Sequence, residues 1–287
     1  MSADRFLGND VEPCPYDRCR TVIVSAPLDQ TTSYGKGTSS GPKEIIKASA
    51  YVELYDEELD LEPCESGIFT HSGISNDLSQ ENFLSELEDV IYNLLVQDKF
   101  PVTIGGEHSL SIAPVRALKK FRGNTFSVIQ LDAHADLRDE YEGSKDSHAC
   151  VMRRIIEEDI RTVQLGIRSL SSEEARFIRD HQLDVVYARE MKEESKWRDK
   201  LIAMSSNDVY ISLDIDVFDP SVISHTGTPE PGGLNWFDIM DIMHLLKKNN
   251  VNVLGFDVVE FSPKTDHEAQ SFTCAKLIYK MIGMFAG

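Results

Sequence analysis

The order of elements in this chain predicts an α/β fold: a central, mostly parallel sheet with helices on both faces. Three observations carry the prediction. Strand-like apolar runs alternate with helix-periodic segments along most of the length, and that alternation puts crossover helices on the sheet faces. The runs Val128-Ile129-Gln130-Leu131 and Val209-Tyr210-Ile211 are almost continuously apolar, as in strands covered on both sides. Three of the strand-like runs end in clusters of Asp, His and Glu, and open α/β sheets bind ligands at the carboxyl ends of their strands.

The elements follow in order. Residues 1–19 show no period and read as an N-terminal arm, and Arg20 to Pro27 reads as a strand. The polar, Gly/Ser-rich stretch from Gln30 to Pro42 reads as a mobile surface loop. Lys43 to Tyr51 is a short helix, and Gln80 to Asp98 a longer one, with Phe83, Leu84, Leu87, Val90, Ile91 and Leu94 at helical spacing. Strands then alternate with helices: Phe100 to Ile104, Ser109 to Phe121, Phe126 to Leu131, Ala149 to Glu158, and Thr162 to Ile167. Ser171 or Ser172 caps a helix to His181, with Glu173 and Glu174 in its first turn. Leu183 to Tyr187 is a strand and Lys192 to Met204 a helix. The strand Asp208 to Leu213, the helix Asn235 to Lys248, a strand opening at Val251 and the helix Glu268 to Phe285 complete the pattern. No repeat or Pro/Ser-rich linker divides the chain, so residues 1–287 are expected to form a single domain.

A net charge of −19 argues against nucleic-acid and anionic-membrane partners, both of which want a basic face. No apolar run is long enough to span a bilayer, and the residues from Met1 to Phe6 lack an apolar signal core. The five cysteines are odd in number and too sparse for a disulfide scaffold. Cys14 and Cys19 have no second Cys/His pair nearby to complete a zinc site. Reduced thiols in a cytoplasmic protein are the expectation.

The chemistry lies in three segments: Gly105-Gly106-Glu107-His108-Ser109, Asp132-Ala133-His134-Ala135-Asp136 and Ser212-Leu213-Asp214-Ile215-Asp216. Each follows a strand. Asp132, Asp136, Asp214 and Asp216 would thus be gathered with His108 and His134 at the strand ends. Unpaired buried carboxylates would cost several kcal/mol each (~2–7 for a polar group) or become neutral. Divalent metal removes that penalty, and two divalent ions balance the four aspartates. An oxygen-rich set with some imidazole favours manganese over copper or structural zinc. Two ions about 3.5–4 Å apart activate a shared water for attack on an electrophilic carbon. The glycines before His108 mark a tight bend or a close approach. Glu107 reads as a supporting or helix-start residue, and Asp219, before Pro220, as a turn residue.

Over nearly its whole length the chain resembles the ureohydrolases, the arginase and agmatinase family. The residues that carry the resemblance are 105–109, 132–136, Ser212 through Pro220, and Gly227-Thr228-Pro229-Glu230-Pro231-Gly232-Gly233, which is similar to the agmatinase branch. The resemblance implies a three-layer α/β/α fold with about eight strands, two Mn2+ ions, and hydrolysis of a guanidino compound to urea and an amine. It also implies a homo-oligomer, a trimer or hexamer. By the same resemblance, His108, Asp132, Asp136 and Asp214 would hold one ion, and Asp132, His134, Asp214 and Asp216 the other. Asp136 would accept a hydrogen bond from the bridging hydroxide. His148, twelve residues past Asp136, resembles the family's proton-shuttle histidine, able to protonate a leaving amine. Glu260 would grip the guanidinium through paired hydrogen bonds, and Asp257 reads as a support.

The tail of the substrate is less determined. The segment Leu137 to Asp146 carries Asp139, Glu140, Glu142 and Asp146. An acidic mouth suits agmatine or an aminopropyl-extended agmatine, while a solvated loop is the plainer alternative. Guanidinobutyrate or formiminoglutamate would need a cation, which Arg138 or Lys145 supplies. Arginine is the remaining family substrate. Agmatinases usually have Pro-Gly or Pro-Ala where this chain has Ser224-His225, which makes His225 a further candidate at the substrate. A single-zinc, deacetylase-like hydrolase or a non-catalytic metal-binding interaction protein would be the readings of a different kind.

Overall fold

A computed structural model describes residues 5–193, 196–264 and 268–287. Residues 1–4 of the expected arm and 194–195 of the expected helix at 192–204 lie outside the described residues. Eight strands form one sheet: β1 (Thr21–Ala26), β2 (Ile68–Thr70), β3 (Phe100–Gly105), β4 (Ser127–Leu131), β5 (Arg161–Ile167), β6 (Asp184–Tyr187), β7 (Asp208–Asp214) and β8 (Asn252–Val259). Their order is β2-β1-β3-β8-β7-β4-β5-β6, and every pairing is parallel. The mostly parallel sheet expected from the sequence is therefore present.

Nine helices flank it: α1 (Gly41–Ser49), α2 (Gln80–Val96), α3 (Ile112–Arg122), α4 (Val151–Glu157), α5 (Ser172–His181), α6 (Ala188–Glu193), α7 (Trp197–Met204), α8 (Trp236–Lys248) and α9 (Glu268–Phe285), among the described residues. Strand side chains alternate between two cores. Val102, Ile129 and Ile211 join one core with Ile45 of α1, Leu201 of α7, Ile239 of α8 and Leu277 of α9. Val24, Val128 and Tyr210 join the other with Phe83 of α2, Val115 of α3, Ile155 of α4 and Ile178 of α5. Helices on both faces give the expected three-layer α/β/α architecture.

Local chemistry sets the boundaries. Ser171 caps α5, its hydroxyl accepting from the Glu174 N–H at 3.2 Å while the Glu174 carboxylate accepts from the Ser171 N–H at 2.7 Å. Asn235 and Asp238 form the same box on α8. Pro42 stands in the first turn of α1, where a missing N–H costs nothing, so this helix starts before the expected Lys43. The expected helix at 192–204 is two short helices, α6 and α7. Strand β2 has only three half-exposed residues at the sheet edge, too few to show a period. Phe6 and Leu7, read as part of an arm, are buried in the first core. The Leu7 N–H donates to Ser49 Oγ at 2.8 Å.

The four central strands, β3-β8-β7-β4, lie side by side. Their ends are level: Ile104 pairs with Val258, Val259 with Asp214, and Leu213 with Leu131. Segments leaving these four strands therefore converge on one spot.

Candidate active site

His108 follows β3, Asp132, His134 and Asp136 follow β4, Asp214 ends β7 with Asp216 in the turn after it, and Glu260 follows β8. The turn after β3 requires glycine: a Cβ on Gly106 would lie 1.9 Å from the Leu28 carbonyl oxygen. That close approach lets the Glu107 N–H donate to Leu28 O at 2.8 Å and brings His108 inward. Asp136 and Glu260 have φ of 51° and 64°. Left-handed backbone at non-glycine residues costs about 1–3 kcal/mol and marks positions that the surroundings over-determine.

All six predicted metal-ligand residues converge. His108 Nδ1 lies 2.9 Å from Asp136 Oδ2, 3.1 Å from Asp132 Oδ2 and 3.5 Å from Asp214 Oδ2. His134 Nδ1 lies 2.8 Å from Asp216 Oδ2 and 3.7 Å from Asp132 Oδ1. Two groups can thus surround an ion, His108/Asp132/Asp136 and Asp132/His134/Asp216, and they share Asp132.

The hydrogen bonds around His108 show why a cation fits. Ser212 Oγ donates to Asp257 Oδ1 at 2.8 Å, so its oxygen accepts from His108 Nε2–H at 2.9 Å. Tyr210 Oη holds the other Asp257 oxygen at 2.9 Å. With an Nε2–H assigned by this network, Nδ1 is the ring nitrogen turned toward the carboxylates. It makes no hydrogen bond, yet it faces three carboxylate oxygens. Lone pairs facing one another need a proton or a metal cation between them: burial alone would lower His108, but Asp132 and Asp136 raise it well above the usual imidazole value. The second cluster is braced in the same way. Gln130 Nε2 donates to Asp132 Oδ2 at 2.7 Å, and Gln164 Nε2 holds both Gln130 Oε1 and, at 2.7 Å, Ala135 O. Arg168 Nη2 donates to Asp216 O at 2.7 Å and Glu230 O at 2.8 Å. Partners of this kind orient metal-ligating groups.

Protonation follows the same excess of carboxylate. Burial, then Asp132 beside it, pushes Asp136 up to about 7. Burial, then Glu107 and Asp216, pushes Glu260 up to about 8 against the opposing His108 N–H. Burial and then Asp216 raise Asp214 well above the usual carboxylate range. Burial alone would lower His134, but Asp216 and Asp132 reverse this and push it up to about 12. Without a bound cation, the cluster keeps protons instead.

The cavity above the cluster is lined by His108, His134, Asp136, Asp214, Asp216 and Glu260, with His148, Arg138, Tyr141, Glu174 and Tyr34 around them. Glu260 Oε1 accepts the His108 N–H at 2.6 Å. Burial lowers His148 below the usual imidazole value. The expected mobile loop at 30–42 is a wall of this cavity: Asp29 accepts from Thr32 Oγ1 at 2.7 Å and the Gly37 N–H at 2.9 Å, and Ser262 Oγ donates to Lys36 O at 2.8 Å.

Two expectations land elsewhere. His225 does not line the cavity. Its ring is buried and stacks on Phe261 at 6.3 Å, while its N–H donates to Gln270 Oε1 at 2.8 Å. The acidic residues of the 137–146 segment are not cavity lining among the described residues. Asp139 is held by Arg154 Nη2 at 2.9 Å, because that guanidinium is nearly buried beside it. Residues without an expected role also emerge: Thr31, Gln130, Gln164, Arg168 and Tyr141. Gln130 had a visible signal, a polar side chain inside the apolar run Val128-Ile129-Gln130-Leu131.

Residues 19–283 match the model of the arginase family. The chain belongs to the arginase family. It is an agmatinase-like ureohydrolase, as the resemblance implied. It is 38% identical over 275 residues to the N(1)-aminopropylagmatine ureohydrolase of Synechocystis sp., covering 93% of this chain and 90% of that one. It is 35% identical over 267 residues to the agmatinase of Pyrococcus horikoshii, covering 92% of each. Among solved structures, the agmatine ureohydrolase of Thermoplasma volcanium superposes with a TM-score of 0.86 at 31% identity, covering 94% of this chain and 91% of that one. For an arginase-family chain, the cavity at the ends of β3, β8, β7 and β4 is the place to seek the chemistry. None of the described helices is long and apolar enough to cross a membrane.

Proposed function

We propose that this enzyme hydrolyses the guanidino group of agmatine to urea and putrescine, with two Mn2+ ions as cofactors. The observation that carries the reading is Nδ1 of His108 facing Asp132, Asp136 and Asp214 beside Glu260. His108, Asp132, Asp136 and Asp214 would hold one ion, and Asp132, His134, Asp214 and Asp216 the other. When bound, the ions neutralise the carboxylates and supply an activated water as nucleophile.

The chain's own residues do the rest. Glu260 receives the guanidinium as a charge-assisted acceptor and orients its carbon. Asp136 accepts a hydrogen bond from the attacking water and aims it. His148 gives a proton to the leaving amine as the C–N bond breaks. Water and guanidine thus leave as urea and an amine, and no covalent enzyme intermediate is needed.

The agmatine tail is supported by similarity to amine-tailed ureohydrolases and by Glu174 and two tyrosines in the wall. A second reading is the aminopropyl-extended agmatine, favoured by the 38% identity to the N(1)-aminopropylagmatine enzyme. Comparing kcat/KM for agmatine and N1-aminopropylagmatine decides between them: a ratio above one for agmatine supports the first reading, a ratio below one the second. Substrate-binding by His225 would be indirect, through the Phe261 wall next to Glu260. A cytoplasmic homo-oligomer, trimer or hexamer, belongs to the same proposal, and light scattering on the purified chain tests its size.

A further inference from the structure

We propose that Thr31 is a positioning residue that fixes the tautomer of His148 and links that imidazole to the buried carboxylate of Glu107. The inference rests on the acid–base role given above to His148. It goes further by assigning which ring nitrogen does the work and what holds it there.

Glu107 is fully buried beside the site. Its Oε2 accepts the backbone N–H groups of Gln30 and Thr31, each at 2.6 Å. Its Oε1 accepts the hydroxyls of Ser109 and, at 2.9 Å, Thr31. Four donors on one carboxyl group is the pattern of a pure acceptor. Thr31 has a single hydroxyl proton, and Glu107 takes it. Toward His148, Thr31 Oγ1 therefore accepts only. It accepts the His148 backbone N–H at 3.1 Å and lies 3.3 Å from the ring Nδ1. Nδ1 then carries the hydrogen and Nε2 is the free lone pair in the cavity that His148 lines.

The chain Glu107–Thr31–His148 has the logic of a carboxylate that orients a catalytic imidazole, with a hydroxyl inserted between them. Nε2 takes a proton from the attacking water and hands it to the leaving amine. The imidazolium that exists between those two steps is stabilised through Thr31 by Glu107. Threonine suits the position twice, since its backbone N–H and its hydroxyl both tie to the same carboxylate. A competing arrangement exists: Ser147 Oγ also lies 3.3 Å from Nδ1. If that hydroxyl donated to Nδ1, the tautomer would be reversed.

The test uses the full-length chain with His ring nitrogens labelled, and the T31V, T31S and H148Q variants. Nitrogen chemical shifts, with the His148 signals assigned by their loss in H148Q, report the tautomer without any turnover. The proposal expects Nδ1–H in the parent and T31S chains, and a mixed or reversed tautomer in T31V. For the manganese-loaded enzyme it expects T31V to lower kcat roughly 10- to 100-fold, the range for partners that orient a functional imidazole. KM should stay within about 2-fold of the parent, as expected when only transition-state interactions are lost, and T31S should restore kcat. An Nε2–H tautomer in the parent overturns the proposal in favour of Ser147. So does a T31V chain whose kcat falls with the tautomer unchanged, or one that T31S does not rescue. If no guanidine is hydrolysed yet the tautomer follows the expectation, the function assigned to the cavity fails and the relay stands.

Discussion

The backbone N–H of His108 donates to Glu260 Oε1 at 2.6 Å, tying the turn after β3 to the end of β8. A second bond, Glu260 N–H to Gly106 O at 2.7 Å, closes the same junction. One carboxylate oxygen is thus spent on the scaffold, and the other is available to a guanidinium. In E260Q the amide oxygen keeps the His108 bond, but the charge is lost. A hydrogen bond to a charged group contributes about 1.5–3 kcal/mol, so kcat/KM for a guanidine substrate should fall roughly 10- to 150-fold. Steady-state kinetics check this, with manganese content expected to stay at two per chain.

Asp132 is common to both groups that could surround a cation. D132N should therefore reduce bound manganese from two to fewer than one per chain, whereas H134N should spare the ion held at His108. Metal analysis after gel filtration measures both. The parent chain should gain thermal stability with Mn2+, by about 2.7 kcal/mol at a hundredfold excess over Kd. Because the cluster holds protons when no ion is bound, the affinity should weaken as pH falls, which calorimetric titration across pH 6–8 would follow.

Stability has a separate ionic anchor outside the cavity lining. Lys280 Nζ donates to both oxygens of Asp56 at 3.0 Å each, and both side chains are buried. Burial alone would raise Asp56, but the Lys280 ammonium reverses this and holds it below the usual carboxylate range. Burial likewise opposes Lys280, whose value is nonetheless raised by Glu58 and Asp56. Removing one partner of a buried pair costs about 3–5 kcal/mol, so K280M should lose roughly that much at pH 7. The depressed carboxylate contributes above its unfolded value of about 3.9, and its contribution is lost as pH falls further. The raised ammonium contributes below about 10.4 and is lost as pH rises beyond. Denaturant unfolding should show the K280M penalty largest between these limits and smaller at pH 3.

Arg138 is the guanidinium in the cavity wall, half-exposed, 5.3 Å from the Tyr141 ring centroid and 3.9 Å from Glu174. It should repel an amine tail and attract a carboxylate tail. R138Q should raise kcat/KM for agmatine and lower it for 4-guanidinobutyrate. Each change should be about 2- to 5-fold, since an exposed charge pair contributes about 0.2–1 kcal/mol. Equal changes for both substrates would place Arg138 away from the tail.

The fold was legible wherever strands were long and covered on both sides: β3, β4, β7 and β8 all read as apolar runs. These same strands carry the candidate site, so the place where its side chains gather was legible too. Strand β2 was not, because three half-exposed edge residues have no period. Nor was the burial of Phe6 and Leu7, which depends on partners such as Ser49 and Thr70 far along the chain. The 137–146 segment shows the limit of charge counting. Its acidity is plain in the sequence, but Asp139 is held by Arg154 and does not line the cavity. Thr31 stood in a loop that looked like a surface linker, and only the fold brings it to His148.

The most direct test is urea release from agmatine by manganese-loaded and chelator-stripped enzyme, beside N1-aminopropylagmatine, arginine and 4-guanidinobutyrate. The account predicts manganese-dependent turnover of the amine-tailed compounds, agmatine foremost, that is lost on stripping and restored by Mn2+. Urea from none of them, with two manganese ions confirmed bound, would contradict it.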